Sequence, residues 1–449
     1  MSASLSAVVL ARTPREVLPD DDPMRGVPLR EQADVRDRWL TQRLLDVLPG
    51  LMDDAGIDLW LVVGRENAED PVLATLLPAT WLGARRRTIL VLHRSDDGVT
   101  PVAVSRYPVG QFLPAWSDDE VAGASYESSQ WAAVRRFVEQ AAPRAIGIDV
   151  SAACAAADGL SHADHGLLVE ALGPWADRLV SAEALVVRWL ETRLPEEVDA
   201  LRGLDRRLQD VLAGALSPAV LQVGRTTATD LAWTIRQRLT DLGLAPWFHP
   251  VVDLQRPGVP PAATRGTVLP AVPYDEPVLP GDLVHCDVGA SGLGLTGDLQ
   301  RSAYVLRPGE TAAPAGLVEA FAVGTRLQDL TTAQMRPGRT GDEVLAASRA
   351  AAAAEGIEGE VYSHPLGVHG HGAGPAIGLW DEQGGVPGPG GYRLHADTAF
   401  ALELSVRASV AEWGGQWVRM GLEEGVVLTA GGVQYLGDRQ EELLLIPGG

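Results

Sequence analysis

Apolar residues recur at helical spacing through residues 34–55, with Leu44, Leu45, Val47 and Leu48 among them. The period then changes. IDLWLVVG (57–64) is a continuous apolar run that stops at glycine, the pattern of a buried strand. RRRTILVLHR and VTPVAVSR repeat that pattern on either side of an SDDG turn, which predicts a hairpin. After a helical stretch that includes residues 134–141, AIGIDV (145–150) reads as one more buried strand. Strands alternating with helices over residues 35–180 predict a mixed α/β domain with a core of its own.

Near residue 185 the pattern shifts. Residues 181–243 carry almost no strand signal; AEALVVRWLETRLPEEVDALRGLDRRLQDVLAGAL and TTATDLAWTIRQRLTDLGL read as long helices. Residues 226–230 offer a cap for the second of these, and Gly243 offers a stop. Beyond it the chain is rich in glycine and proline, with the short strands LVHCDVGAS, RSAYVL, TAFALELSV, GVVLTA and ELLLI. Two helical stretches, GLVEAFAVGTRLQDLTTAQM and GDEVLAASRAAAAAEG, interrupt them. The expected organisation is an irregular lead-in (1–30), an α/β domain (31–185) and an α+β domain (186–449).

Composition narrows the classes. A chain of 449 residues suggests two or three domains at roughly 100–200 residues each. With 46% hydrophobic and 21% charged residues, it is expected to fold without help from disulfides or a structural metal. The net charge is −22 and every basic side chain is arginine, a field that repels phosphate backbones and argues against non-specific nucleic-acid binding. Two cysteines, Cys154 and Cys286, exclude a disulfide framework and a cysteine-ligated zinc module. No apolar run approaches the roughly 18 residues that span a bilayer. The first residues have no basic leader, so a cytoplasmic location is expected.

Candidate chemistry gathers in the second half. Five of nine histidines (His285, His364, His369, His371, His395) lie between residues 285 and 395. The same region sets carboxylates into apolar strands, where an unpaired charge is expensive: Asp287 in LVHCDVGAS, Glu403 in FALELSV and Glu423 at the head of an apolar run. Asp298 follows Asp287 by eleven positions, so a strand, a glycine-rich turn and a returning strand bring the two side by side. Like charges held that close need a cation. Oxygen ligands with one imidazole suit manganese, cobalt, iron or zinc. His285 shares the Asp287 face of its strand and reads equally as a core histidine or a support for the ligands, whereas Cys286 points the other way, into the core. Trp380, Trp413 and Trp417 either line the pocket or pack, packing being the commoner fate of tryptophan.

The order Asp, Asp, His, Glu, Glu resembles the five-ligand signature of the pita-bread metallopeptidases, the family of methionine aminopeptidase, aminopeptidase P and prolidase. GDLVHCDVGASGLGLTGDLQRSAYV is similar to its first-ligand hairpin, and YSHPLGVHGHGAGPAIG to its histidine segment. ALELSV and VRMGLEEGVVLT are similar to its two glutamate strands. The resemblance implies a pita-bread catalytic domain behind a creatinase-type α/β domain, with two divalent ions, manganese first among the candidates. Asp287 would bind one metal, Asp298 and Glu423 would bridge the two, and His364 and Glu403 would complete the ligand set of the second metal. Glu403 would be the general acid/base and His371, seven residues after His364, the contact to the substrate carbonyl. His369 and Arg419 are further candidates for substrate contact. The implied substrate is a small peptide cut at its first bond, with proline second as the favoured case, and the implied assembly is a homodimer.

Three departures accompany the likeness. The position of an upstream substrate histidine falls at Leu269 and Pro270, in a region lengthened by RPGVPPAATRG; His249 is the nearest substitute. Extra residues between Arg419 and Glu423 leave Glu424 as a competing final ligand. A further insertion, LWDEQGGVPGPGGYRLH, is expected to reshape the pocket mouth. Two rival readings follow: a hydrolase of another small amide, creatinase-like in its C–N cleavage, and a catalytically inactive module that binds proteins or peptides.

Overall fold

The apolar runs of the first half become one sheet. In the computed structural model, which describes residues 27–116, 125–259 and 272–448, six strands lie in the order Leu113–Pro114, Gly98–Ser105, Arg87–Ser95, Leu59–Arg65, Ile146–Ile148 and Leu179–Ser181. The hairpin around the SDDG turn pairs Ser95 with Gly98. Leu59–Arg65 runs antiparallel to Arg87–Ser95 and parallel to Ile146–Ile148, the mixed sheet expected of alternating strands and helices. The opening helix starts at Leu29, earlier than its apolar spacing suggests, and widens to a π-turn over Arg43–Val47 before resuming at Leu48–Ala55. The lead-in up to residue 26 and the expected histidine position at Leu269 and Pro270 lie outside the described residues.

The long helical stretch after residue 182 is two helices, Glu183–Glu191 and Pro195–Ala215. Proline lacks the N–H that a continuing helix needs and suits a first helical position, so Pro195 starts the second one. Leu185, Val186, Trp189 and Leu190 pack into the core of the first sheet, while Leu204, Leu208, Val211 and Leu212 pack beneath the second. Arg43, buried at the turn between the two helices, pairs with Glu197 at 3.0 Å and donates to the Thr192 carbonyl. The next helix, Ala228–Asp241, opens with a reciprocal cap between Thr227 and Asp230 and gives way at Gly243, whose φ is +74°.

Two sheets make up the rest. One holds the hairpin of Leu283–Gly292 and Leu295–Val305, flanked by Leu444–Ile446 on one side and by Ala245–Pro246 and Val251–Gln255 on the other. The second is built on the long hairpin of Thr398–Val410 and Gln416–Thr429, with Gly359–Val361 and His364–Leu366 added along one edge and Gly432–Tyr435 along the other. Helices Pro195–Ala215 and Ala228–Asp241 share a core with the first of these sheets; Ala315–Thr332 and Gly341–Ala354 share one with the second. This is the helix-covered α+β arrangement the strand and helix pattern predicts. The insertion at 379–395 reaches back to the first half, where the Tyr392 hydroxyl donates to Glu183 at 2.7 Å.

Candidate metal centre

Register explains why the acidic residues meet. On the first hairpin Asp287 lies opposite Gln300, and Asp298 lies two residues before Gln300 on the same face. On the second hairpin Glu403 lies directly opposite Glu423. His364 sits on its own short strand opposite Ala401, two residues from Glu403. The two hairpins therefore present their polar faces to one volume, in two ligand groups: Asp298, His364 and Glu423, and Asp287, Glu403 and Glu423, each with donor atoms within 4.8 Å of one another. Glu423 belongs to both groups, the position a shared ligand requires. Asp298 falls only in the group with His364.

The volume contains acceptors and almost no donors. His364 Nε2 stands 4.0 Å from Asp298, 3.9 Å from Glu403 and 3.9 Å from Glu423. Its Nδ1 faces the Pro365 carbonyl at 3.3 Å, so that nitrogen carries the proton and Nε2 offers a lone pair. Asp287 Oδ1, Asp298 Oδ1, His364 Nε2 and Glu423 Oε1 are buried with no hydrogen-bond partner. Burial, reinforced by the neighbouring His371 ring, lowers the His364 pKa to about 3, so it stays neutral among the carboxylates. Burial, then the charge of Asp253, raises Asp287 to about 7; burial, then Asp287, raises Glu403 to about 8. Asp298 and Glu423 are pushed well above the ordinary carboxylate range, first by burial and then by their acidic neighbours. A cation would supply the missing positive charge and take up the orphaned lone pairs, and this donor set fits hard or borderline divalent metals.

Glu424 points elsewhere. It accepts from Arg301 at 3.0 Å and from the Gln440 amide at 2.8 Å, on the opposite face of the strand from Glu423. Arg301, three residues after Asp298 on the first hairpin, is thus the partner of the second of the two adjacent glutamates. Cys286, as its alternation predicts, is fully buried in the core under the first hairpin.

The proposed substrate contacts divide. The His371 ring is exposed and meets His364 edge-on, with centroids 4.6 Å apart. Half-buried His369 lies on the same loop. His249 does not join them: it is exposed, with its ring 4.8 Å from Trp233 and its Nδ1 3.4 Å from Arg236. Arg419 is a neighbour of the cluster, donating to Ser405 at 3.1 Å and to the Tyr362 hydroxyl at 2.9 Å. Of the tryptophans singled out in sequence, Trp413 is buried in the core, and Trp380 and Trp417 are exposed. The tryptophan beside His371 is Trp247, centroids 4.9 Å apart, seated where Gly289 and Gly370 leave no space for a Cβ. Its only sequence signal is the pair of glycines, and these are distant in the chain. Gln300 was equally hidden: it donates to Glu403 at 2.7 Å and faces Asp287 at 3.4 Å.

Comparison with known proteins agrees with this geometry. No curated protein matches the chain. Among solved structures, the X-Pro aminopeptidase from Thermotoga maritima is 17% identical, covering 87% of this chain and 98% of its own, with a TM-score of 0.61. The Xaa-Pro dipeptidase from Bacillus anthracis is also 17% identical, covering 92% and 99%, with a TM-score of 0.58. The N-terminal domain of the FACT complex subunit SPT16 from chickpea (Cicer arietinum) shares the fold at 12% identity, covering 94% and 100%, with a TM-score of 0.56. The shared fold is the two-part pita-bread architecture. Residues 205–430, half of the chain, match the metallopeptidase family M24 throughout the segment that carries the cluster, and the protein belongs to that family.

Proposed function

We propose that this protein is a dinuclear metal-dependent aminopeptidase or dipeptidase that hydrolyses the first peptide bond of small peptides, with proline favoured at the second position. The observation that carries the reading is the acceptor-only cage: four carboxylates and one neutral imidazole converge, and four of their buried atoms lack any donor. Asp298, His364 and Glu423 would hold one ion, Asp287, Glu403 and Glu423 the other. The chemistry two divalent ions supply in such a cage is polarisation of the scissile carbonyl and activation of a water for attack.

The chain's own residues do the rest. Glu403 is the carboxylate best placed to exchange protons with a substrate, since its side chain is 18% exposed against 1% for Glu423. It takes a proton from the attacking water and returns it to the departing amine. His371, beside His364 and open to solvent, donates a hydrogen bond to the substrate carbonyl as negative charge develops there. Trp247 forms an apolar wall against that histidine. The proline preference, the choice of manganese, the homodimer and the cytoplasmic location are carried over from the resemblance, and the peptidase names of two fold neighbours support the first of these. No helix among the described residues is long and apolar enough to cross a membrane.

The second reading, a module that binds proteins or peptides, is supported by the fold it shares with a subunit of a protein complex. A binding module has no need of a buried cage of negative charge, and that favours the hydrolase. Elemental analysis of protein purified without chelators and titrated with manganese tests the proposal. Two ions per chain together with cleavage of Xaa-Pro peptides are expected; absence of metal uptake overturns it.

A further inference from the structure

Among the described residues, Gln300 is the side chain that supplies hydrogen atoms to two of the cluster's carboxylates. Its Nε2 is 2.7 Å from Glu403 Oε1 and 3.4 Å from Asp287 Oδ2, and so spans the two hairpins. An amide nitrogen has two hydrogens, and both are directed at acceptors here. The amide oxygen is thereby turned away, onto His285 Nε2 at 2.8 Å. An amide oxygen only accepts, so His285 Nε2 is the donor, and the ring carries its proton on that nitrogen. The other ring nitrogen, Nδ1, lies 4.0 Å from Asp253 Oδ2 on the neighbouring strand Val251–Gln255.

A second observation concerns space. Gly421 lies two residues before Glu423 on the same strand face. A Cβ there would sit 2.9 Å from His285 Nε2 and 3.0 Å from Gln300 Oε1, at the two ends of their hydrogen bond. Gly421 is not among the glycines with positive φ, so its backbone does not require glycine. What requires it is room for the His285–Gln300 contact.

We propose that Gln300 is a positioning residue that sets the orientation of Asp287 and Glu403, and that His285 holds its amide in the only orientation that serves both. The inference rests on the metal-hydrolase reading of this site and extends it to residues that bind no metal themselves. Without His285 the amide is free to turn its oxygen toward the carboxylates, which sets acceptor against acceptor and splays the two ligands. Groups that orient metal ligands in this way contribute roughly 10–100-fold to metal affinity.

The test is calorimetric titration of manganese into metal-stripped wild type and the variants Gln300→Leu, His285→Leu, His285→Gln and Gly421→Ala, each first checked for folding by circular dichroism. Gln300→Leu and His285→Leu are expected to bind manganese about 10–100-fold more weakly. His285→Gln keeps an N–H donor and is expected to recover most of the loss, which a purely packing role for the ring would not allow. Gly421→Ala is expected to weaken binding in the same direction. Wild-type affinity in both leucine variants overturns the inference while leaving the metal centre intact. A His285→Gln variant as weak as His285→Leu overturns the orienting role of His285. If wild type itself takes up no manganese, the metal-centre reading falls and this inference falls with it. Should Gln300→Leu fail to fold, the contrast between the two His285 variants decides the question.

Discussion

Two groups of buried carboxylates in this protein solve the same electrostatic problem differently. In the first half Asp70 and Asp149 are 0% and 1% exposed. Asp149 accepts from the Trp60 indole at 2.8 Å and Asp70 from the Val72 amide at 2.8 Å. Their other oxygens, Asp70 Oδ2 and Asp149 Oδ2, are buried with no donor from another residue, and the charge of Asp70 on Asp149 favours a proton kept on the pair. Burial raises Asp70 to about 6, and burial with the charge of Asp70 holds Asp149 well above its ordinary range. Gly159 seals the pair, leaving no space for a Cβ beside Asp70. Two acids with two donors close with one proton. Four acids facing a neutral imidazole, with Gln300 as the donor between two of them, call for a cation instead. The contrast teaches that burial alone does not mark a metal site; the balance of donors to acceptors does.

The sharpest way to break this comparison is to remove a group from the cage. Glu403→Gln is expected to lower kcat on an Xaa-Pro peptide by roughly 10²–10⁴-fold, as loss of a general acid/base does. His364→Ala is expected to lower metal content as well; unchanged activity and metal content in both variants would remove the assignment. The adjacent glutamates separate ligand from scaffold. Glu424→Leu strands the buried Arg301 and is expected to cost about 3–5 kcal/mol in denaturant unfolding with metal stoichiometry unchanged. Glu423→Gln is expected to lose metal.

A third expectation concerns pH. The cage carboxylates have pKa values raised to about 7 for Asp287 and about 8 for Glu403, so between the ordinary carboxylate range and pH 8 the folded, metal-free protein binds more protons than the unfolded chain. Its stability therefore falls as pH rises through that window. Manganese at a hundredfold excess over its Kd should restore about 2.7 kcal/mol at the upper end. Thermal melts at pH 5.5 and pH 8, with and without metal, check both statements; a metal-free protein equally stable at both values contradicts them. The smallest effect belongs to the first pair. Asp149→Asn supplies a permanent donor to Asp70, removes the need for the shared proton and should flatten that contribution, by on the order of 1–2 kcal/mol at pH 8. Manganese should leave this difference untouched.

Much of the site was legible in the sequence because its logic is local. An isolated acid in an apolar strand, as at Asp287 and Glu403, announces a cost that something must offset, and strand alternation assigns His285 and Cys286 to opposite faces without any tertiary information. The spacing of Asp287 and Asp298 needs only a hairpin, and the hairpin register bears that out. The break at Pro195 was equally local, yet the apolar spacing ran through it and masked it. Choosing between Glu423 and Glu424 required knowing which face met Arg301, a contact between separate hairpins.

What the chain's pattern determined by itself was the succession of α/β and α+β segments, the acidic, lysine-free surface and the ligand types in their order. These follow from period, composition and the cost of burying charge. What only the tertiary structure decided was pairing across long stretches of chain. Trp247 reached His371 because Gly289 and Gly370, far apart in sequence, both vacate the same space. His249 was drawn instead to Trp233 and Arg236 on the helix Ala228–Asp241. Gln300 joined the two hairpins because their registers face its amide toward acids from both. Sequence periodicity assigns a side chain to a face; which face another element covers is set by packing, and packing depends on contacts that no local pattern encodes.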